Sequence, residues 1–143
     1  MPTEFSVREA VWPTDAEALK AIREEVFVYE QDVPPELEWD GEDARCRHVL
    51  ALATKGEAIG TGRLLPDGQI GRMAVRKSWR GRGVGGALLQ ALVAQARTAG
   101  LAQCHLHAQV SAIPFYEKHG FTARGEVFMD ANIPHRDMWL DLQ

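Results

Sequence analysis

Ile70-Gly-Arg-Met-Ala-Val-Arg-Lys-Ser-Trp-Arg-Gly-Arg-Gly-Val-Gly-Gly86 decides how this chain is read. Met73, Ala74 and Val75 make a short apolar run that reads as a strand. A basic, Gly-rich turn follows, and helical spacing begins directly after it. The first N–H groups of a helix lack intrahelical partners and carry a partial positive charge, so such a turn suits an anion. Glycines let a ligand approach the backbone, and successive N–H groups can converge on phosphate oxygens.

Upstream, residues 3–10 alternate moderately and read as a first strand. Thr14 or Asp15 supplies a helix N-cap signal. Ala18, Leu19, Ile22, Val26 and Tyr29 then fall at helical spacing. Pro34-Pro35 ends that pattern, and residues 36–43 read as a loop or short helix. Residues 47–54 and 58–65 form a hairpin around Lys55-Gly56-Glu57, and 69–75 follows the turn Pro66-Asp67-Gly68. Four strands joined mostly by turns argue for an antiparallel sheet with helices packed on it.

Downstream, a helix spans about Gly83 to Ala99, with Val84, Leu88, Ala91, Leu92 and Gln95 or Ala96 as its apolar stripe. Gly100 ends it, and a fifth strand at 103–108 follows by a crossover, hence parallel to the fourth. A short helix at 112–119 and strands at 122–129 and 134–142 complete the chain. The expected fold is α/β, a mixed seven-strand sheet, mostly antiparallel with strands 4 and 5 parallel, flanked by about four helices.

The 143 residues are read as one domain, 1–143, with 45% hydrophobic and 25% charged residues. The net charge of -4 gives no bulk attraction to nucleic acid. No apolar run approaches the roughly 18 residues of a membrane span, and the N-terminus lacks a secretory pattern, so the expected location is cytoplasmic. Cys46 and Cys104 have no metal-type spacing. His105 and His107 share one face of a strand but no carboxylate lies near in sequence, so no metal is expected.

Charge is unevenly distributed. Residues 26–44 hold seven acidic side chains and no Lys or Arg, whereas 68–116 holds no acidic residue but Arg72, Arg76, Lys77, Arg80, Arg82 and Arg97. The basic half coincides with the Gly-rich turn, which favours anion binding there over an ordinary solvated face.

Gly81, Gly83 and Gly86 match the GxGxxG spacing of dinucleotide sites. A ribose-holding acid about 20 residues on is missing, and so is the Gly-Lys-Ser/Thr of a P-loop. The pattern Arg80-Gly81-Arg82-Gly83-Val84-Gly85 instead resembles the Arg/Gln-x-x-Gly-x-Gly/Ala pyrophosphate loop of the GCN5-related N-acetyltransferases. Ala112-Ile-Pro-Phe-Tyr116-Glu-Lys-His-Gly-Phe121 resembles that family's short helix carrying a Tyr, followed by Gly-Phe. Residues 26–31, Glu38-Trp-Asp-Gly-Glu-Asp43 and Ile133-Pro-His135 are similar to the group related to the bacterial ElaA and YjcF proteins.

The resemblance implies an acetyltransferase fold in which strands 4 and 5 splay apart. It implies acetyl-CoA as acyl donor and a small-molecule or peptide amine as acceptor, with direct attack in a ternary complex. Arg80, Gly81, Arg82, Gly83, Val84, Gly85 and Gly86 would hold the pyrophosphate, and the edge at Met73, Ala74 and Val75 would pair with the pantetheine and stabilise the oxyanion. Tyr116 would protonate the leaving thiolate. For the proton shed by the amine, Glu30, Glu38, Asp40, His48 and His135 are candidates. Glu30 is the catalytic choice and requires a raised pKa or a water relay, while Glu38, Asp40 and His135 are assigned to the acceptor. The acidic segment suggests a cationic acceptor. A homodimer and a monomer both fit. Two rival functions stay open: an acyl-CoA-sensing module without catalysis, and a nucleotide-binding protein.

Overall fold

A computed structural model describes residues 4–33, 41–130 and 132–142. Seven strands occur among these residues, in chain order β1 (Phe5–Ala10), β2 (Arg47–Ala53), β3 (Ala58–Leu64), β4 (Ile70–Val75), β5 (Gln103–Gln109), β6 (Thr122–Asp130) and β7 (Ile133–Asp141). Three α-helices lie among the described residues: α1 (Ala16–Arg23), α2 (Val84–Thr98) and α3 (Ile113–Lys118). Residues 34–40, where the sequence places a loop or short helix, lie outside the described residues, and this bears on the expected total of about four helices.

The single mixed sheet expected from sequence is two hydrogen-bonded sheets. The first has the order β1-β2-β3-β4, antiparallel throughout, and the second the order β5-β7-β6. A parallel bridge between Gln69 and His105 joins them, with the His105 N–H donating to the Gly68 carbonyl at 3.1 Å. Among the described residues β4 and β5 share no further rung, so they meet at one end and part at the other.

Alternation along β2 sets the layers. Val49 and Ala51 pack with Val84, Leu88 and Leu92 of α2, and Leu50 packs on the opposite face with Leu19 and Ile22 of α1. The buried stripe of α2 is wider than the sequence suggests, for it adds Leu89 and Val93. On the side facing β3, Gly60 and Gly62 let the helix settle against bare backbone. A Cβ at Gly62 would stand 2.7 Å from Leu92 Cδ1, and one at Gly60 would stand 3.0 Å from Leu88 Cδ1.

Asp15 is the N-cap residue of α1, but its side chain makes no capping bond. Its carboxylate accepts from the Val11 N–H at 2.8 Å and from both terminal nitrogens of Arg8, at 3.1 and 2.9 Å. Beyond Arg23 the helix continues as a π-helical segment, Glu24–Glu30. Such wide turns occur mostly as short insertions and gather at functional sites.

Candidate active site

The Gly-rich turn folds as its spacing predicts. Gly83 is the N-cap of α2 with φ +85°, and Gly81 has φ +76°. A residue with a Cβ would be strained at both, by about 1–2 kcal/mol each. Among the described residues no side chain caps the helix, and its first turn contains no acid. The N–H groups at the start of a 15-residue helix are therefore left without an internal carboxylate or hydroxyl.

The arginines beside this turn are partnered. Arg80 donates from its two terminal nitrogens to the Glu30 carboxylate, at 2.5 and 2.7 Å, and from Nε to the Val75 carbonyl at 3.0 Å. Arg82 lies 4.7 Å over the Trp79 ring and donates to Glu4 at 3.2 Å. Arg80 thus ties the end of β4 to the end of the π-helical segment.

Where β4 and β5 part, a cavity of about 370 Å³ opens. β4 carries a bulge at its edge. Thr61 faces Ala74 and Arg63 faces Gly71, so two steps along β3 match three along β4. The extra length falls at Arg72 and Met73, and Arg72 has φ +48°. A positive φ at a residue other than Gly, Asn or Asp is uncommon, and a bulge turns backbone groups out of the ladder. Both residues line the cavity.

Tyr116 of α3 lines the same cavity. Phe115 meets it edge-on at 5.0 Å and Phe121 at 6.1 Å. Burial pushes its phenol above the ordinary value, so it stays protonated at neutral pH. A protonated phenol facing a cavity can donate a hydrogen bond or a proton.

His135 also lines the cavity and is 8% exposed. Met73 reaches it, whereas Ala74 is buried against α1 and Val75 packs toward α2. Glu38 and Asp40 lie outside the described residues.

Glu30 lacks the raised pKa that direct action as the base requires. Its hydrogen bonds from Arg80 hold its carboxyl below the usual range, opposite to the rise that a base acting near neutral pH requires. It does not line the cavity, although Phe27 and Gln31 from the same turn do. His48 is structural. It is 2% exposed, stacks on Trp12 at 5.4 Å, and bonds through Nε2 to the Asp43 carbonyl at 2.9 Å. Burial lowers its pKa.

Sequence reasoning missed Arg72, Gln109 and Asp130 as cavity residues. No turn signal marks the bulge, and an arginine gives no warning of a positive φ. It also missed that Asp43, taken with the acidic run, is buried at 6% exposure between Arg23 at 2.7 Å and Arg63 at 3.0 Å. Burial alone would raise this carboxyl, but the two guanidinium groups outweigh it and hold it down. No group of His, Cys, Asp or Glu suited to a metal occurs among the described residues.

Comparison with known proteins places this geometry. The family model for the acetyltransferase (GNAT) domain matches residues 13–142. The Bacillus subtilis protein named "uncharacterized N-acetyltransferase YjcF" is 41% identical over 124 residues, 84% of this chain and 88% of that protein. Among solved structures, an acyl-CoA N-acyltransferase from Pseudomonas aeruginosa has a TM-score of 0.83 at 30% identity, covering 95% of this chain and 97% of that one. Escherichia coli ElaA has a TM-score of 0.85 at 26% identity, covering 96% and 99%. With its splayed strands, uncapped α2 and cavity-facing Tyr116, the chain belongs to the GNAT acetyltransferase family.

Proposed function

We propose that the protein transfers an acetyl group from acetyl-CoA to a primary amine of a small molecule or peptide, by direct attack in a ternary complex. One observation carries this reading. β4 and β5 part beyond their bridge, β4 runs on through the Gly-rich turn to the start of α2, and a protonated phenol faces the cavity between the strands. The N–H groups of Arg82 to Gly85 would hold the pyrophosphate, with Arg80 exchanging Glu30 for a phosphate oxygen. The free edge of β4 at Met73, Ala74 and Val75 offers N–H and C=O groups to the pantetheine amides. A bulge amide at Arg72 or Met73 would donate to the thioester carbonyl oxygen as it gains negative charge.

The neutral amine attacks the carbonyl carbon, forming the C–N bond. As the C–S bond breaks, Tyr116 gives its proton to the departing thiolate. The amine sheds one proton, so the net products are an amide and free CoA thiol. The acidic run of the sequence that includes Glu38 and Asp40 favours a cationic acceptor.

Thiol release from acetyl-CoA across a panel of amines tests the reading. Tyr116→Phe should lower kcat at least tenfold while changing acetyl-CoA affinity less than twofold. Tight acetyl-CoA binding without thiol release on any amine would instead identify a sensing module.

A further inference from the structure

The reaction needs a proton acceptor on the amine side, and Glu30 does not line the cavity where the amine would stand. We propose that His135 is the general base, receiving the amine's proton at Nε2. This rests on the acetyl-transfer reading above.

The hydrogen bonding fixes which nitrogen can act. His135 Nδ1 lies 2.7 Å from the Ile133 carbonyl oxygen. A carbonyl can only accept, so Nδ1 carries the hydrogen in the neutral ring and Nε2 carries the lone pair. Among the described residues Nε2 has no hydrogen-bond partner. Pro134, between the two, has its φ fixed by its ring, which limits the freedom of the carbonyl that sets the tautomer.

Packing fixes the ring as well. Phe128 stacks on it at 5.9 Å and 25° between planes, and meets His107 edge-on at 5.1 Å. The register pairs Gln109 with His135, at the end of β5 from which the chain passes to α3 and Tyr116. Acid and base candidates therefore line one cavity from two elements.

The other histidines are differently engaged. His107 lies 3.3 Å from Asp137, His105 stacks on Trp139 at 4.6 Å, and His48 is buried away from the cavity. The titratable and charged groups lining the cavity are Tyr116, His107, Arg72 and Asp130; the β5–β7 ladder adds His105, Arg136, Asp137 and Asp141, and β6 on the other side of β7 adds Arg124 and Glu126.

The step balances. The N–H bond of the attacking amine breaks as Nε2–H forms; after product leaves, the imidazolium returns its proton to solvent and the Tyr116 phenolate takes one back.

His135→Asn tests this, because its amide can still donate to the Ile133 carbonyl but cannot take a proton. Acetyl-CoA affinity and its thermal shift should remain within twofold, which also reports folding. kcat/KM should fall about a hundredfold. The single-proton acidic limb of the wild-type pH profile should vanish, and added imidazole should restore part of the rate. A His135→Asn enzyme that keeps both its rate and its acidic limb overturns the assignment. So does loss of that limb in Glu30→Gln with its retention in His135→Asn. No thiol release by the wild-type enzyme with any amine overturns the acetyl-transfer reading itself, and this proposal with it.

Discussion

Arg80 and Glu30 are 50 positions apart, yet they share two hydrogen bonds. Glu30 competes for the guanidinium that the pyrophosphate loop would use. Both side chains are about a third exposed, 39% and 34%, so water screens the pair and its net contribution is about 0.2–1 kcal/mol. Glu30→Gln should therefore tighten acetyl-CoA binding by about two- to fivefold, while Arg80→Ala should weaken it by about tenfold or more. Titration calorimetry of both variants reads this directly, and an unchanged Kd in Arg80→Ala removes Arg80 from the anion site. At this scale the sequence was partly legible. The glycines of the turn and Tyr116 stood in motifs whose residue types state their chemistry. Arg72 did not, because its left-handed backbone is imposed by the mismatch in length between β3 and β4. The Nδ1 bond of His135 was equally hidden, since it depends on a turn geometry that Ile133-Pro134-His135 permits without specifying.

Secondary structure was easier to read than its ends. β2 and β3 follow from alternation and a Gly turn, and α2 from its apolar stripe. The π-helical form of Glu24–Glu30 leaves no mark in periodicity, which shows only that the helix reaches about Tyr29. Two elements have consequences that stability measurements can check. Gly62→Ala would push Leu92, and with it α2, away from β3, for an expected loss of about 1–3 kcal/mol in urea unfolding. Asp15 anchors the start of α1 through Arg8 first and the Val11 N–H second, which lower its carboxyl from 3.8 to about 2. A carboxyl lowered in the folded state contributes stability above its unfolded pKa and loses it as pH falls through the folded one. Asp15→Asn should thus be less stable than wild type at neutral pH. The gap in urea midpoint should close between 3.8 and about 2, and a constant gap would show that the carboxylate charge contributes nothing.

On the scale of the whole molecule, seven strands and the order of the helices were legible because turns and a crossover leave few topologies to choose from. The division into two sheets was not. It depends on whether β4 and β5 continue pairing past Gln69 and His105, and neither strand's composition forbids that. The charge asymmetry was legible, but its meaning changed on folding. Asp43 became an internal anchor between two arginines, and Glu30 became a partner of the basic loop. No described helix is long and apolar enough to cross a membrane. Acetyl-CoA at about a hundred times its Kd should add about 2.7 kcal/mol, a rise in Tm of roughly 5–10 °C.

The gap between β4 and β5 has a further consequence for how motion is distributed. Among the described residues one bridge crosses the seam, and the side chains of α2 share one core with both sheets, so each sheet can fluctuate as its own cooperative unit. A donor molecule lying along β4 would restore rungs that the polypeptide does not make. Deuterium uptake should then slow most at the amides of residues 72–75 and 106–109, and least at β1 on the far edge of the first sheet. Uniform slowing across both sheets would mean that the ligand stabilises the molecule without bridging its seam.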